Sequence, residues 1–431
     1  MTKKYYLWAL GCQMNKADAE KVSTILDDLG YQKTADESKA DLIITLACSV
    51  RQSAIDRIYG RAKIWNRLKQ KKPVATALTG CILPGDRQKM AEFFDLIFNI
   101  DDLPKLAEML GEKGSLSLVN YLNINPKYTN NFQAHVPISN GCNNYCSYCV
   151  VPYVRGPETS RPSNKIIDEC QKLIDSGYKE ITLLGQNVNS YGHDLKNDLR
   201  FPQLLKKIND LPGDFWLRFI TSHPKDMSDE LIEVIAQGEK ICEYIHLPVQ
   251  SGDDEILKKM NRHYSREYYL KLIEKIRNKI PGVSISTDVI AGFPGETKKQ
   301  FKNTAKLFKQ VKFDMAYIAQ YSPRAGTAAY QLKDDVPKVE KQKREMKLNE
   351  ILKKTALKHN KKLIGKTTEI LVDESKNNYL IGKTKTFKKV RFENNTAADS
   401  QAISYDFIDK FVKIKITKAK AFGLEGILIT A

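Results

Sequence analysis

The sequence lacks a long hydrophobic run. No stretch reaches the roughly 18 uncharged apolar residues that a membrane-spanning helix needs. The short apolar stretch near the amino terminus is not followed by a small-residue cleavage site, which argues against a secretory signal peptide. There is no low-complexity tract or long internal repeat, and 42% of the residues are hydrophobic, which excludes a disordered or fibrous chain. We therefore expect a cytoplasmic protein that does not contact the membrane.

Histidines are few, and acidic residues are outnumbered by basic ones. None of the six histidines is obviously paired with a nucleophile, so the sequence assigns no general acid or base. Lys and Arg total 69 against 51 Asp and Glu, which gives a net charge of +18. A surplus of this size favours a polyanionic partner such as nucleic acid over an acidic protein.

The chain contains eight cysteines and is long enough, at 431 residues, for about three domains. Disulfides are disfavoured in a reducing compartment, so the cysteines favour metal or redox chemistry. They lie at positions 12, 48, 81, 142, 146, 149, 170 and 242.

The first predicted domain, residues 1–127, repeats one pattern three times. Short apolar runs at residues 5–11, 42–47 and 74–80 each end at a cysteine, and helical spacing follows at residues 18–29 and 49–68. This alternation predicts a parallel α/β sheet. Because parallel strands deliver their carboxyl ends to one edge of a sheet, we expect Cys12, Cys48 and Cys81 to lie close together. An Asn- and Tyr-rich segment at about residues 114–137 is typical of an interdomain linker.

Two further domains are predicted. Residues 128–363 contain six strand-like runs separated by helical stretches, which predicts a partial (βα)6 barrel with its active site at the carboxyl ends of the strands. A long basic helix at about residues 339–363 ends this domain. Residues 364–431 change to five short β-like runs, which predicts a small all-β barrel. Residues 361–431 carry 14 Lys and Arg against eight Asp and Glu, a local net charge of +6.

The first strand of the second domain ends in Cys142, Cys146 and Cys149, which form a CxxxCxxC motif. Three thiolates on one tight loop can hold three corners of an iron-sulfur cube and leave one iron open for the amine and carboxylate of a substrate. Structural zinc is the alternative, but it requires four ligands, and no fourth Cys or His lies nearby downstream.

This motif at this place resembles the radical S-adenosylmethionine enzymes. In that superfamily the open iron binds S-adenosylmethionine, and one electron cleaves it to a 5'-deoxyadenosyl radical. Further motifs resemble the methylthiotransferase family over nearly the whole chain, and that family joins a three-cysteine domain to a radical SAM barrel and a C-terminal TRAM domain. They are GCQMN (11–15), CSVRQSA (48–54), GC (80–81), VVPYVRGPETSRP (150–162), LLGQNVNSYG (183–192), HLPVQSG (246–252) and VIAGFPGET (289–297).

The resemblance implies two 4Fe-4S clusters. Cys142, Cys146 and Cys149 would hold the radical cluster, and Cys12, Cys48 and Cys81 would hold an auxiliary cluster that takes part in sulfur delivery. S-adenosylmethionine would be both methyl donor and radical source. The implied substrate is tRNA bearing isopentenylated adenosine beside the anticodon, methylthiolated at carbon 2. Because the radical cluster must reach a low potential, a flavodoxin or ferredoxin-type electron donor is implied, together with a sulfur donor.

Two alternatives remain within the family and one outside it. Sibling enzymes act on threonylcarbamoyladenosine in tRNA or on an aspartate of a ribosomal protein. A non-enzymatic alternative is an RNA-binding protein with a purely structural metal. The sequence departs from the family at Leu46, where Asn is common, and at Ile82, Leu83 and Pro84, which replace small and amide residues. These changes affect the surroundings of the auxiliary cluster and not its ligands.

Polar residues at the strand ends of the barrel are candidate contacts for S-adenosylmethionine, or alternatively caps of rim turns. They are Gln186, Asn187, Gln250, Ser251 and Asp288. Arg155, Arg161 and Arg324 lie in loops and are candidates for binding RNA phosphate or a cofactor carboxylate, or for simple solvation.

A basic run in the last domain is interleaved with Phe387 and Phe392. Cations and rings on a small barrel suit phosphate contact and base stacking, although a charged strand is often only a solvated face. Resemblance to the TRAM domain favours RNA binding by Lys383, Lys385, Lys388, Lys389 and Arg391. Cys170 and Cys242 have no partner at ligand spacing and are predicted to be buried structural thiols.

Overall fold

The computed structural model describes residues 2–50, 52–112, 120–376, 379–393 and 407–429, which form two compact units. The first unit comprises residues 1–172, 183–200 and 322–332. The second comprises residues 173–182, 201–321 and 333–431. These units are groups of segments that pack together, and their limits do not coincide with the predicted domain limits. The domain boundaries at 127 and 363 stay a prediction.

The first unit begins with a parallel sheet. Its strands are β1 (Lys4–Ala9), β2 (Gln32–Lys33), β3 (Leu42–Ala47), β4 (Ala75–Gly80) and β5 (Leu96–Ile97), in the order β2-β1-β3-β4-β5. The helices of this region are α1 (Gln13–Asp28), α2 (Gln52–Lys69), α3 (Pro84–Met90) and α4 (Leu106–Met109). Every strand pair is parallel, which confirms the predicted parallel α/β fold. The short edge strands β2 and β5 were not predicted.

Both faces of this sheet are buried. Successive side chains of a strand point to opposite faces, so Leu42, Ile44 and Leu46 enter one apolar core while Ile43 and Ala47 enter another. Such continuous burial is typical of parallel sheets covered by helices on both sides.

Part of the predicted linker belongs to this core. Tyr121 and Leu122 are each only 2% exposed and pack in the same core as Leu42. Residues 113–119, in the same predicted linker, lie outside the described residues.

The first unit continues into the cysteine motif and the segments around it. These elements are β6 (Gln133–Pro137), β7 (Ser139–Asn140), α5 (Val151–Val154), β8 (Thr159–Ser160), α6 (Ser163–Asp175) and β9 (Glu180–Leu184). Helix α6 and strand β9 each contain a point where the chain passes from one unit to the other. The predicted strand at residues 135–140 divides into β6 and β7, and β7 pairs antiparallel with β8.

The second unit continues the alternation of strands and helices. Its elements are α7 (Phe201–Asn209), β10 (Trp216–Phe219), α8 (Asp229–Gln237), β11 (Tyr244–His246), α9 (Asp254–Lys259), α10 (Arg266–Lys279), β12 (Ser284–Ala291), α11 (Lys298–Val311), β13 (Met315–Gln320) and α12 (Lys338–Lys361). Strands β11, β12 and β13 are parallel neighbours. A single parallel bridge joins Leu217 of β10 to Ile241, which lies just before β11. With β6, β9 and β10, all six predicted barrel strands are present.

A closed five-stranded barrel ends the second unit. Its strands are β14 (Thr367–Lys376), β15 (Tyr379–Thr384), β16 (Lys389–Glu393), β17 (Phe411–Lys420) and β18 (Gly423–Leu428), in the order β14-β15-β16-β18-β17. Alternate side chains such as Ile370, Val372, Val390 and Phe392 fill its interior. The predicted small all-β barrel is confirmed.

The β15–β16 turn of this barrel is anchored on Arg218. That side chain donates from Nη1 to the carbonyl of Lys385 at 2.7 Å and from Nη2 to the carbonyl of Thr384 at 2.8 Å, while its Nε donates to Glu180 at 2.6 Å. The Phe387 ring stacks on Tyr244, with centroids 4.8 Å apart. The small barrel is therefore fastened to the strands of its own unit by buried polar and aromatic contacts.

Short 3-10 helices occur between several of these elements, at Glu37–Lys39, Ile100–Lys105, Tyr121–Asn123, Val188–Ser190, Pro224–Asp226 and Ala328–Gln331. Among the described residues, none of the helices combines the length and the apolar content required to cross a bilayer.

Acid is expected to destabilise the second unit through His223. This side chain is 4% exposed, and burial, followed by the charges of Arg262 and Lys225, lowers its pKa to about 2. The unfolded chain binds a proton near pH 6.5 whereas the folded chain does not, so stability falls as pH decreases from 6.5 towards 2. The upper limit is about 1.4 kcal/mol per pH unit. Urea unfolding at pH 7.5 and 5.5 measures the effect.

The control for this prediction is a pair of variants. In His223→Asn the amide oxygen can replace Nδ1, which accepts from the Lys225 backbone N–H at 3.2 Å. This variant should lose most of the acid sensitivity, whereas His263→Asn, at an exposed position, should retain it. Equal pH dependence in the native protein and His223→Asn would contradict the assignment.

Candidate active site

The CxxxCxxC loop leaves β7 through a turn that only glycine permits. Gly141 has φ +82°, and a Cβ at this position would lie 2.0 Å from the carbonyl oxygen of Pro157. Any side chain here would therefore collide with backbone and strain the turn. The turn directs the chain into Cys142 immediately after the strand.

Backbone hydrogen bonds hold this loop in place. The Cys142 N–H donates to the carbonyl of Gly156 at 3.2 Å, and the Cys149 N–H donates to the carbonyl of Cys146 at 2.9 Å. The Ala329 N–H donates to the carbonyl of Ser147 at 2.7 Å. Cys142 and Cys146 are each 9% exposed. The backbone hydrogen bonds therefore hold these two residues close to the protein surface but almost buried.

The other three predicted cysteines follow the adjacent strands β1, β3 and β4. The Cys81 N–H donates to the carbonyl of Ala47 at 3.0 Å, so the residues that follow β3 and β4 lie side by side. Gly11 has φ +99°, and a Cβ there would lie 2.9 Å from Sγ of Cys48. The residue before Cys12 thus lies directly against the Cys48 thiol. The structure brings these cysteines to one sheet edge, where the sequence predicts them.

The donor set of each group fits a cluster better than a single ion. In the described part of the chain, no three His, Cys, Asp or Glu side chains are gathered closely enough to hold one metal ion. A cubane cluster binds each thiolate at a different iron, so its ligands lie farther apart than around a single ion. Three thiols on neighbouring turns match that chemistry. That these six cysteines are the ligands stays a prediction.

The thiols differ in their electrostatic surroundings. Burial raises the pKa of Cys81 to about 11, and the guanidinium of Arg155 opposes this shift. Burial also raises the pKa of Cys142, and hydrogen bonds from Asn144 oppose it, including one from Nδ2 to Sγ at 3.5 Å. Burial therefore opposes the thiolate form of both residues, and a protein donor partly offsets it at each.

The three loop arginines are buried and paired with carboxylates, and Nε of Arg161 and of Arg324 has no hydrogen-bond partner among the residues that the structure describes. Arg155 is buried against Asp18, Arg161 pairs with Glu169 at 2.7 Å, and Arg324 pairs with Asp86 at 3.0 Å. All three lie in the first unit with their partners. The sequence did not reveal these partners: Asp18 and Asp86 are far along the chain from Arg155 and Arg324, and Glu169 lies in α6, which begins just after Arg161.

The predicted S-adenosylmethionine contacts are divided between the units. Gln186 and Asn187 lie in the first unit, directly after β9, and the buried Oε1 of Gln186 has no hydrogen-bond partner. An orphaned buried acceptor indicates a missing ligand or water. Gln250, Ser251 and Asp288 lie in the second unit.

Within the second unit, Gln250 and Asp288 are neighbours. The Gln250 N–H donates to the carbonyl of Asp288 at 2.9 Å, and Gln250 has the strained φ of +68°. Backbone strain of this kind is concentrated at functional sites. Asp288 also lies 3.4 Å from Nε2 of His246, a residue that the sequence did not single out. Successive side chains of a strand point to opposite faces of the sheet. His246 is paired with Ser286, so Asp288, two residues further along β12, lies on the same face as His246.

The predicted RNA-binding residues have different surroundings. Lys383 pairs with Asp373 at 2.6 Å and Lys388 pairs with Asp314 at 2.7 Å, and both side chains are largely buried. The Nζ of Lys385 donates to the carbonyl of Glu239. Lys389 is exposed, and Arg391 is exposed beside Glu425 and the Tyr379 ring. The assignment of all five to RNA stays a prediction, and Lys389 is the member that best combines charge with exposure.

Of the residues that depart from the family pattern, Leu46 and Leu83 are buried, Ile82 is half-buried and Pro84 is exposed. Leu46 is fully buried and Leu83 is 2% exposed, while Pro84 begins α3. They therefore contribute packing next to Cys48 and Cys81. Cys170 and Cys242 are buried free thiols, as predicted.

Three family models match the chain. The model of the Radical SAM superfamily matches residues 136–308, and that of the TRAM domain matches residues 361–429. The model described as Uncharacterized protein family UPF0004 matches residues 4–99.

Curated relatives match nearly the whole length of the chain. A tRNA-2-methylthio-N(6)-dimethylallyladenosine synthase of Clostridium botulinum (strain Langeland) is 44% identical over 446 residues, which cover 98% of this chain and 96% of the relative. A protein of the same name from Carboxydothermus hydrogenoformans is 43% identical over 449 residues, which cover 99% of both chains.

Solved structures share the fold at low identity. The radical S-adenosylmethionine methyltransferase TsrM from Kitasatospora setae aligns with a TM-score of 0.56 and 14% identity, and 77% of each chain is covered. The cobalamin-dependent radical enzyme OxsB aligns with a TM-score of 0.54 and 12% identity, over 83% of this chain and 56% of that chain. These likenesses concern the fold alone.

Proposed function

Since the chain belongs to the tRNA-2-methylthio-N(6)-dimethylallyladenosine synthase family of radical S-adenosylmethionine enzymes, we propose that it adds a methylthio group to carbon 2 of isopentenylated adenosine in tRNA. The observation that carries the proposal is the presence of two separate three-cysteine groups in one compact unit. A radical enzyme that only abstracts hydrogen needs one cluster, whereas sulfur insertion needs a second sulfur-bearing site. When bound, the two 4Fe-4S clusters supply the electron that cleaves S-adenosylmethionine and the sulfur that is transferred.

The chain's own residues hold and orient these groups. Cys142, Cys146 and Cys149 bind one cluster on a loop that backbone hydrogen bonds keep in place. The unpaired buried Oε1 of Gln186 would accept a hydrogen bond from S-adenosylmethionine when it is bound. Gln250 follows β11 and Asp288 lies within β12, and both carry polar groups that could contact a ligand of the barrel. The partial burial of Cys142 and Cys146 limits access of water to the reduced cluster.

The tRNA substrate is recognised in part by the C-terminal barrel. The TRAM model matches this barrel, and the chain as a whole carries a net charge of +18. A positive surface attracts the phosphate backbone and guides the tRNA onto the protein. Lys389 contributes an exposed cation to that surface.

An electron donor and a sulfur donor complete the reaction. A flavodoxin or ferredoxin-type donor reduces the radical cluster, because that cluster works at a low potential. A sulfur donor restores the auxiliary site, because each methylthio group carries one sulfur atom away.

Nucleoside analysis of tRNA tests the function. Deletion of the gene should convert the 2-methylthio form of isopentenyladenosine to the unmodified isopentenyl form, and the wild-type gene should restore it. Mass spectrometry of digested tRNA measures both. Loss of the methylthio form of threonylcarbamoyladenosine, or of methylthio-aspartate in a ribosomal protein, would assign the chain to a sibling activity. Unchanged nucleosides and protein would favour an RNA-binding protein with structural metal.

A further inference from the structure

Arg155 lies between the two cysteine groups. It is the residue that ends α5, the short helix directly after the CxxxCxxC loop. Its side chain is only 2% exposed. Within the first unit it contacts segments that carry both cysteine groups.

Each nitrogen of the guanidinium has a defined acceptor. Nε donates to Sγ of Cys81 at 3.0 Å, and Nη1 donates to Oδ1 of Asn140 at 2.9 Å. Nη2 donates to Oδ1 of Asn15 at 2.9 Å and to Oδ2 of Asp18 at 2.7 Å. The rigid fork of the guanidinium fixes all of these directions together. One side chain thus connects the auxiliary thiol, the helix after Cys12 and the residue two before Cys142.

The acceptors are themselves held in place. Nδ2 of Asn15 donates to the carbonyls of Leu10 and Ala47, which turns its Oδ1 towards Arg155. The Tyr121 hydroxyl donates to Oδ1 of Asp18 at 3.1 Å. Because the buried Asp18 carboxylate balances the charge of Arg155, the bond from Nε to sulfur does not leave an uncompensated buried cation.

We propose that Arg155 is a positioning residue that raises the reduction potential of the auxiliary cluster through its hydrogen bond to Cys81 and holds the radical loop in a fixed place relative to that cluster. A hydrogen bond to a ligating sulfur withdraws electron density from it and favours the reduced cluster. The hydrogen bond to Asn140 also fixes the position of Arg155 relative to β7, the strand that leads into Cys142. This inference rests on the proposed function, because it takes Cys81 as a cluster ligand.

The test isolates the auxiliary cluster. In a full-length background with Cys142, Cys146 and Cys149 replaced by Ala, only the auxiliary group remains to be reconstituted. A redox titration followed by electron paramagnetic resonance then gives its midpoint potential. Arg155→Met should shift this potential to more negative values, and Arg155→Lys should give a smaller shift, because lysine keeps the charge but cannot make all four contacts.

Two further variants separate tuning from folding. Arg155→Met alone leaves Asp18 as a buried carboxylate without its arginine, which can prevent folding. The double variant Asp18→Asn/Arg155→Met removes both charges and is used if the single variant does not fold. Arg161→Met breaks another buried Arg–carboxylate pair of the same unit, and Arg161 is bonded to Glu169 and to the Pro137 carbonyl. It should leave the potential unchanged.

The outcomes are distinct. An unshifted potential in the double variant, or an equal shift in Arg161→Met, overturns this inference and leaves the proposed function intact. A parent background that holds no 4Fe-4S cluster overturns the auxiliary site, and with it both the proposed function and this inference. The titration uses no tRNA, so failure of tRNA modification in cells does not affect its result.

Discussion

Replacing Cys142 by Ala is expected to abolish reductive cleavage of S-adenosylmethionine. The variant loses one of the three thiols proposed to hold the radical cluster, and the loop has no fourth cysteine to replace it. Removal of a residue that only supports a ligand costs roughly 10- to 100-fold, so loss of a ligand should reduce cleavage to background. Anaerobic incubation of the reconstituted protein with dithionite, followed by quantification of 5'-deoxyadenosine, measures the result.

Cys170→Ala is the matched control for this experiment. Cys170 is fully buried in the first unit and lies outside both cysteine groups. Its replacement removes a thiol of the same type and should leave 5'-deoxyadenosine formation close to the level of the parent. Substantial cleavage by Cys142→Ala would show that the CxxxCxxC loop does not hold the radical cluster.

Replacing Cys48 by Ala should separate the two activities. Cys48 lies against Gly11 at the edge of the parallel sheet and takes no part in the CxxxCxxC loop. The variant should therefore still cleave S-adenosylmethionine but should form no methylthio nucleoside, and its iron content should fall by about half. Iron analysis and mass spectrometry of treated tRNA measure these changes.

The combination of results identifies the role of each group. Retained methylthiolation in Cys48→Ala would mean that sulfur does not pass through Cys12, Cys48 and Cys81. Loss of S-adenosylmethionine cleavage in the same variant would mean that the two sites depend on each other for folding. Cys170→Ala again provides the reference for iron content.

Much of the architecture was predictable because local patterns determine it. The runs before Cys12, Cys48, Cys81 and Cys142 are apolar and end in turns, three of them at Gly-Cys, so both the strands and the place of the cysteines follow from the chain itself. The two-residue strands β2 and β5 were missed, because a segment that short has no measurable period.

The partners of buried charges were not predictable. Arg155 and Cys81 are 74 positions apart, and so are Lys388 and Asp314. A basic side chain in a loop or hairpin can contact solvent, RNA or a carboxylate of the same protein. The sequence does not show which of these it contacts, and the folded structure does. Sequence reasoning therefore found the thiols, and it found Arg155 but not its contact with Cys81.

The contacts of Arg218 with the β15–β16 turn make the second unit depend on its terminal barrel. A chain cut after α12 would lose the Thr384 and Lys385 carbonyls that receive the guanidinium, and Tyr244 would lose the ring that covers it. The exposed cation and aromatic surface would make such a fragment prone to self-association. The barrel that matches the TRAM model thus also covers a guanidinium and a tyrosine ring on other strands of its own unit.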